Sequence, residues 1–341
     1  MPFNPRYKIH KKQPEKSLKY YLDGLNQSNR FILSECITLV ESTNPDKRDL
    51  GYRILSQLQT SESSIRIGLT GSPGVGKSTL LDCLGMKLIE KGHKVAILAI
   101  DPSSTTSRGS ILGDKTRMEK LSIDQSAYIR PTASGTYLGG VSANTREAIA
   151  LVEAAGYDVI IIETVGVGQS ETLVSSLVDA FILMILPGAG DDIQGIKRGI
   201  MEMADILFIN KADDERKNLA KVSKKQLINA LSLMQNKVVG WNPKVMIGSG
   251  LNNIGVDELI QSIIQFIDHS KNNGYFHSNR NEQKLMWYDE QYKNIILNEW
   301  ITNSDIYNKA VSLREKLMAG QINPIDAIVE TRRLILREGI K

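Results

Sequence analysis

The segment Gly71-Ser72-Pro73-Gly74-Val75-Gly76-Lys77-Ser78 matches the pattern G-x-x-x-x-G-K-[ST] of a phosphate-binding loop, and this motif indicates how the rest of the chain folds. In such a loop the backbone N–H groups surround the phosphates, the lysine reaches the β and γ oxygens, and the hydroxyl binds Mg²⁺. Residues 65–70 before it alternate like a buried strand, and residues 78–91 after it carry leucines at helical spacing. The sequence therefore predicts a strand, a loop and a helix whose N-terminus, with its unpaired N–H groups and dipole, holds the phosphates.

A second motif, Asn210-Lys211-Ala212-Asp213, follows residues 204–209, which form another apolar, strand-like run. The carboxylate of Asp213 can accept hydrogen bonds from N1–H and from the 2-amino group of guanine. Adenine has neither donor there, so it would leave the carboxylate unpaired in a dry pocket. Together the two motifs predict a protein that binds a guanine nucleotide and hydrolyses it. Their predicted nucleotide-binding residues are Gly71, Ser72, Pro73, Gly74, Val75, Gly76, Lys77, Ser78, Thr79, Asn210, Lys211 and Asp213.

Strand-like segments alternate with helical ones through the middle of the chain. The strands are predicted at residues 65–70, 94–100, 157–162, 180–186, 204–209 and 244–247. This alternation predicts an α/β fold, a P-loop NTPase with a mostly parallel sheet flanked by helices. Helical patterns outside the sheet divide the chain into an N-terminal helical extension (residues 1–60), a GTPase domain (61–270) and a C-terminal helical extension (271–341).

Both extensions carry apolar helix faces. In the N-terminal one the face consists of Phe31, Ile32, Cys36, Leu39 and Val40, and that helix is predicted to end near residues 44–45. In the C-terminal one, Gly320 ends a first helix and Asn323-Pro324 begins a second. Apolar helices outside the core can join two chains, so the C-terminal extension is the predicted dimerisation region.

Composition and charge argue against several classes of protein. A formal net charge of +4 over 341 residues is too small to indicate a nucleic-acid partner. The longest apolar run, residues 180–186, is far shorter than the roughly 20 residues of a membrane span, and no apolar stretch follows the basic N-terminus as in a secretory signal. Cys36 and Cys83 are too few for a disulfide framework. We therefore expect a cytoplasmic protein that binds neither nucleic acid nor membrane.

Two carboxylates directly follow predicted strands, Asp101 after residues 97–100 and Glu163 after residues 160–162. Both are expected near the phosphates, since ligands of open parallel sheets bind beyond the carboxyl ends of the strands. Mg²⁺ requires hard oxygen ligands, so Ser78, Asp101 and Glu163 are the predicted metal ligands. Glu163 could instead hold or deprotonate the attacking water, and the sequence leaves both roles open.

Three glycine-rich segments, residues 109–118, 164–170 and 187–197, lie downstream of predicted strands. Loops of this composition can change conformation with the γ-phosphate, so we predict that they are switch loops. An arginine that stabilises the transition state could come from Arg108, Arg117 or Arg146, and the sequence does not choose among them.

The sequence closely resembles the MeaB/ArgK/MMAA family of P-loop GTPases. The resemblance rests on Asp101-Pro102-Ser103-Ser104, residues 109–118, Glu163-Thr164-Val165-Gly166-Val167-Gly168-Gln169-Ser170, residues 186–191 and Gln194-Gly195-Ile196-Lys197. Family members are homodimeric GTPases that serve as chaperones of adenosylcobalamin-dependent acyl-CoA mutases, chiefly methylmalonyl-CoA mutase. They gate cofactor loading and protect the mutase. The resemblance thus implies a GTP-hydrolysing metallochaperone that uses Mg²⁺, forms a homodimer and is not expected to bind cobalamin directly.

The resemblance also implies roles for single residues. Lys77 would contact phosphate, and Ser78 and Asp101 would hold Mg²⁺. Asp114 and Glu163 would belong to switch loops near the γ-phosphate, so Lys77, Asp114 and Glu163 are the expected catalytic residues.

Two further segments resemble family elements. Ser249-Gly250-Leu251 is similar to the segment that backs the guanine, which adds Ser249, Gly250 and Leu251 to the nucleotide-binding residues. Residues 187–197 are similar to an additional switch that communicates with the mutase, marked by Gly188, Asp191, Gln194 and Lys197. Arg108 stands where the family usually has glycine, which leaves the shape of the first switch loop open.

Two alternative functions stay open at this point. An ATPase or kinase that serves a periplasmic amino-acid-binding protein would use ATP, and Asp213 argues against it. A nickel-insertion GTPase would share the phosphate loop but needs a histidine-rich tract or a Cys/His cluster. The four histidines, His10, His93, His269 and His277, are scattered along the chain, so this alternative is weak.

Overall fold

The computed structural model of the chain describes residues 16–58, 63–101, 118–133, 140–164, 170–188, 198–302 and 305–338. The chain divides into two compact units, residues 1–283 and residues 284–341. The first unit is built on a seven-stranded sheet and the second on helices. Within the described residues, no helix combines the length and the apolar character that crossing a membrane requires.

All the strand pairs of the sheet run parallel, in the order β3-β2-β4-β1-β5-β6-β7. Helices cover both faces, which is why the central strands are near-continuous apolar runs. The predicted α/β fold class is therefore confirmed. The strands are β1 (Ile65–Gly71), β2 (Val95–Asp101), β3 (Ala127–Ala133), β4 (Val159–Thr164), β5 (Ala180–Ile185), β6 (Ile206–Ile209) and β7 (Lys244–Ile247).

Two buried clusters of apolar side chains fill the space between the sheet and its helices. On one face the helices are chiefly α1 (Leu18–Asn26), α2 (Arg30–Val40), α3 (Pro45–Leu55), α6 (Gly140–Ala154), α7 (Ser170–Ser175), α8 (Arg198–Met203) and α9 (Lys217–Leu231). On the other face they are α4 (Lys77–Glu90), α5 (Glu119–Ile123) and α10 (Val256–Asn272). The helix that follows the predicted phosphate loop, α4, therefore shares its face with α10.

Within residues 16–58, the described part of the N-terminal extension, the chain forms three helices rather than the single predicted one. Asn29 caps α2, since its side chain accepts from the backbone N–H of Phe31 at 3.0 Å, and Asn44 caps α3 by accepting from Lys47 N at 3.1 Å. Of the predicted apolar face, Cys36 is buried, whereas Phe31 is 79% exposed. Side chains of all three helices join the core cluster on their face of the sheet, so these helices belong to the first unit.

Strand β3 lies at one edge of the sheet and was absent from the sequence-based prediction. It contains Arg130 and Pro131, which interrupt the apolar pattern of a strand. Proline is tolerated at a sheet edge because its missing N–H costs no ladder hydrogen bond there. Arg130 ties the strand to α2 by donating to Glu41 at 2.6 Å and to the Ser34 carbonyl at 3.2 Å.

A buried ion pair anchors helix α11 (Tyr275–Thr302) beneath the amino ends of the strands. Arg280 donates to both carboxylate oxygens of Asp179, at 2.8 and 2.7 Å, and to the Ser64 carbonyl at 2.7 Å. Asp179 also accepts from the backbone N–H of Arg66 at 2.8 Å. Asp179 immediately precedes β5, so this network fixes the start of α11 at the amino ends of the strands. The predicted phosphate loop lies at the opposite, carboxyl ends of the strands.

The second unit contains the helix pair α12 (Asp305–Met318) and α13 (Pro324–Glu338). Gly320 has φ of +69°, and Asn323 caps α13 by accepting from Asp326 N at 2.8 Å, as the sequence predicts. Several large apolar side chains of this pair are exposed in the single chain, namely Tyr307, Val311, Met318, Ile325, Ile328 and Val329.

Candidate functional site

The predicted phosphate loop connects the carboxyl end of β1 to the first turn of α4. Gly74 and Gly76 take left-handed backbone conformations, with φ of +78° and +96°. A Cβ at Gly76 would also come within 2.6 Å of the Asn210 side-chain nitrogen, so only glycine fits this position. Val75, between them, is fully buried, whereas Ser72 and Pro73 are exposed at the rim of the loop. The loop therefore has a fixed inner side and an open outer side.

Lys77 and Ser78 lie in the first turn of α4, and both side chains are largely buried. The ammonium of Lys77 donates to the carbonyl oxygens of Gly71 and Ser72, at 2.7 and 3.3 Å. It therefore lies over the loop, where a positive charge can meet a phosphate. Thr79, the last predicted contact in this motif, is exposed.

Asn210 connects the phosphate loop to the segment after β7. Its side-chain nitrogen donates to the Val75 carbonyl at 2.8 Å, and its side-chain oxygen accepts from Gly250 N at 2.9 Å. Asn210 is 2% exposed, so both hydrogen bonds are shielded from water. Lys211 has φ of +58°, and its Cε lies 3.6 Å from where a Cβ of Gly76 would be. The two predicted motifs thus meet at the carboxyl edge of the sheet.

We call residues 249–254 the base loop. Its ends are paired by two hydrogen bonds between Ser249 and Ile254, at 2.9 and 3.0 Å. The loop packs against α4, since a Cβ at Gly250 would lie 2.9 Å from the Cα of Leu80. Leu251 is 77% exposed at its tip. The base loop is therefore braced by α4 and by Asn210.

Asp213 faces the base loop. Its Oδ2 accepts from Ser249 Oγ at 3.1 Å and from the side-chain nitrogen of Asn252 at 3.0 Å. Asn252 was missed by the sequence reasoning, because an asparagine in a turn has no signal that links it to a residue 39 positions earlier. The carboxylate that was predicted to read the base is thus held by two protein donors.

Glu163 is 2% exposed near the carboxyl end of β4, in register with Leu69 of β1 and Ala99 of β2. It shares the sheet face of Val159 and Ile161, which pack in the same cluster as α4. The backbone of Asp101 ends β2, but its side chain lies outside the described residues. With the Ser78 hydroxyl, the Glu163 carboxylate supplies hard oxygen donors on the α4 face, and this chemistry fits Mg²⁺.

Most of the predicted switch positions, Asp114, Asp191, Gln194 and Lys197, lie outside the described residues. Gly188 is described and has φ of +82°. Its N–H donates to Ser223 Oγ at 3.0 Å, and a Cβ at this position would come within 2.3 Å of Leu219 Cδ2. The start of the segment 187–197 is thus held against α9, in a backbone conformation that favours glycine.

Arg146 does not lie at the phosphate loop. Its guanidinium donates to the carbonyl of Ser176, at 3.2 Å, and to the carbonyl of Gln283. Ser176 precedes β5, so this contact lies near the amino edge of the sheet, whereas the phosphate loop lies at the carboxyl edge. Arg146 is therefore poorly placed for the transition-state role considered above, and Arg108 and Arg117 lie outside the described residues.

An open cavity of about 530 Å³ lies away from these residues, between α1, α2 and β3. Its lining includes Tyr21, Phe31, Leu39 and Tyr128. None of the predicted nucleotide-binding residues lines it, so it is separate from the candidate nucleotide site.

Comparison with known proteins finds relatives along most of this chain. The family described as methylmalonyl-CoA mutase-associated GTPase MeaB matches residues 33–305. A protein of Mycobacterium tuberculosis named as a probable GTPase is 43% identical over 308 residues, 89% of this chain and 92% of its own. The mouse methylmalonic aciduria type A homolog, a mitochondrial protein, is 40% identical over 88% of this chain and 75% of its own. A solved structure described as a LAO/AO transport system kinase is 34% identical, covers 95% of this chain and 99% of its own, and has a TM-score of 0.74.

Proposed function

The chain belongs to the family of methylmalonyl-CoA mutase-associated GTPases, and from that premise we propose that this GTPase is a chaperone of an adenosylcobalamin-dependent acyl-CoA mutase. Methylmalonyl-CoA mutase is the favoured partner because the family is named for it. The chaperone gates loading of the cofactor and protects the mutase, without binding cobalamin itself. The observation that carries the nucleotide part of this proposal is Asn210, whose two buried hydrogen bonds join the phosphate loop to the base loop.

The phosphates lie against the backbone N–H groups of residues 71–79 and the N-terminus of α4. Lys77 places its ammonium over this loop. As the bond to the γ-phosphoryl group breaks, its electron pair stays with the leaving GDP and negative charge develops on the β-phosphate oxygens. A fixed positive charge stabilises that state more than the ground state. Lys77 therefore contributes to catalysis as well as to binding.

Guanine is selected by Asp213. Its carboxylate accepts hydrogen bonds from N1–H and from the 2-amino group, while the Lys211 side chain and Ser249, Gly250 and Leu251 border the base. An adenine base would bring an acceptor toward the carboxylate, and the resulting unpaired and repulsive contacts lower its affinity.

A bound Mg²⁺ would neutralise charge on the β- and γ-phosphates. The Ser78 hydroxyl and the carboxylate of Asp101 or Glu163 are the residues that would hold it. Glu163 has a second available role, which is to orient the attacking water by hydrogen bonding. The buried position of its carboxylate, on the same sheet face as α4, supports either role.

The segment 187–197 is the proposed contact with the mutase. The Gly188 N–H at its start is hydrogen-bonded to Ser223 of α9. A conformational change in the segment would therefore also move a helix on the surface of the first unit.

The second unit, residues 284–341, is the proposed homodimer interface, supported by the exposed apolar side chains of α12 and α13. We further place the chain in the cytoplasm, in keeping with its two free cysteines.

One observation favours a different function. The solved structure that is 34% identical to this chain is described as a transport system kinase, which implies transfer of phosphate from ATP. A binding competition between GTP and ATP for the purified protein separates the two functions. Under the chaperone proposal, GTP stays bound when ATP is present at equal concentration, and displacement of GTP by ATP would reject that proposal.

The nickel-insertion alternative requires a set of metal ligands. The described residues contain no group of three or more His, Cys, Asp or Glu side chains suited to a metal ion.

Cofactor loading tests the chaperone role itself. Purified apo-mutase is supplied with adenosylcobalamin in the presence of this protein and either GTP or a GTP analogue that is not hydrolysed. The proposal expects the nucleotide state to change the rate at which active mutase appears. A loading rate that is the same with GTP, with the analogue and without this protein would reject the chaperone role while leaving the GTPase intact.

A further inference from the structure

Three residues form a closed set of hydrogen bonds beside the predicted base site. Ser249 Oγ and the side-chain nitrogen of Asn252 both donate to Asp213 Oδ2, at 3.1 and 3.0 Å. The backbone N–H of Asn252 donates to Ser249 Oγ at 3.3 Å. From this arrangement we propose that Asn252 is a positioning residue for base selection, which sets the plane of the Asp213 carboxylate. The inference rests on the proposed guanine-nucleotide function.

A carboxylate on a short side chain needs such support. The terminal torsion of aspartate has broad, shallow minima, so the plane of an unsupported carboxylate rotates easily. The two donors of guanine lie side by side on one edge of the base, and they are both satisfied only when the two carboxylate oxygens lie in the plane of that edge. A carboxylate that rotates out of this plane loses part of its preference for guanine.

Ser249 alone does not define that plane. Its hydroxyl has a single proton and can rotate about the Cβ–Oγ bond. The N–H of Asn252 occupies a lone pair of Ser249 Oγ, which directs the hydroxyl proton toward Asp213. Asn252 thus acts on Asp213 twice, once through its side chain and once through Ser249.

The base loop holds Asn252 in place for this task. The paired hydrogen bonds between Ser249 and Ile254 close the loop, and Gly250 N binds the side chain of buried Asn210. Asn252 itself is exposed, so replacing it removes the contact to Asp213 without opening the core.

The test compares Asn252→Ala with Asn253→Gly, because Asn253 has φ of +57°, a conformation that glycine adopts without strain. Asn253 is the neighbouring exposed asparagine, and its side-chain oxygen accepts from Cys83 Sγ at 3.1 Å instead of contacting Asp213. Dissociation constants for GDP, IDP and ADP, and kcat for GTP, are measured on the full chain. Inosine lacks the 2-amino group, so the ratio of the IDP to the GDP constant reports how well the carboxylate meets that group.

In Asn252→Ala we expect GDP to bind about threefold to tenfold more weakly, the range for losing one hydrogen bond to a carboxylate that is partly open to water. ADP binding and kcat at saturating GTP stay unchanged, and the preference for GDP over IDP falls. Asn252→Asp, which sets a like charge beside Asp213, should weaken GDP binding further. Asn253→Gly should behave as the wild type.

Three results would overturn the inference, and they differ in what else they reject. If Asn252→Ala prefers GDP over ADP as strongly as the wild type does, only the role of Asn252 is rejected. Equal loss of GDP and ADP binding in that variant also rejects it, because that result indicates a general disturbance of the loop. A wild-type protein that binds ADP as tightly as GDP rejects the guanine-nucleotide function and this inference with it.

Discussion

Replacing Asn210 by alanine should uncouple the phosphate loop from the base loop. The substitution removes the hydrogen bonds to the Val75 carbonyl and to Gly250 N, at 2.8 and 2.9 Å, and both of those residues are buried. Each buried polar group left without a partner costs about 1 to 3 kcal/mol, so the two loops lose roughly 2 to 6 kcal/mol of mutual stabilisation. Since 1.4 kcal/mol is a factor of ten in affinity, even the lower figure weakens nucleotide binding about 30-fold if binding must restore the arrangement.

Calorimetric titration of Asn210→Ala with GDP and with ADP measures this effect. Both nucleotides should weaken by similar factors, because the phosphate loop that both use is displaced. Asn210→Asp keeps an acceptor for Gly250 N but turns an oxygen toward the Val75 carbonyl, so it should also bind weakly. Asn229→Ala, which removes an exposed asparagine from α9, is the matched control. A folded Asn210→Ala protein that binds GDP within about twofold of the wild type would refute the coupling.

Three other predictions concern catalysis, stability and assembly. Lys77→Ala should lower kcat for GTP by about 100-fold or more, because the transferred phosphate loses a fixed charge; unchanged turnover in a steady-state assay would mean that the site has been misassigned. Burial raises the pKa of Glu147 from its ordinary 4.5 to about 7, although Tyr52 donates to it at 3.0 Å. The stability that this carboxyl group contributes is therefore fully present below about pH 4.5. As the pH rises through about 7, this contribution is lost and the free energy of unfolding falls by up to about 3 kcal/mol. Urea unfolding at several pH values should show that Glu147→Gln flattens this dependence, and identical pH profiles for the two proteins would contradict it. Ile328→Glu, on the exposed face of α13, should convert the proposed dimer to a monomer in light scattering, whereas an unchanged mass would remove that face from the interface.

The sequence was sufficient where structure depends on neighbouring residues. The phosphate loop, its strand and its helix follow from one local pattern, and the predicted strand at 180–186 matches β5 (Ala180–Ile185). The capped start of α13 follows from Asn323-Pro324 in the same way. In each of these cases backbone preferences and burial act on the same short segment.

The sequence was insufficient where structure depends on distant residues. Asn252 reaches Asp213 across 39 positions, and only the pairing of β6 with β7 brings the two together. The location of Arg146 could not be predicted, because its position along the chain does not indicate whether its side chain lies at the amino or the carboxyl ends of the strands. Strand β3 escaped prediction because its edge position admits Arg130 and Pro131, which a buried central strand would exclude.

Steady-state GTP hydrolysis by the purified protein, alone and with increasing amounts of an adenosylcobalamin-dependent acyl-CoA mutase, tests the proposed partnership. We expect slow turnover by the protein alone and a rate that rises and saturates as the mutase is added, because the partner acts on the segments around the γ-phosphate. A GTP hydrolysis rate that stays the same at every mutase concentration would contradict the proposed partnership.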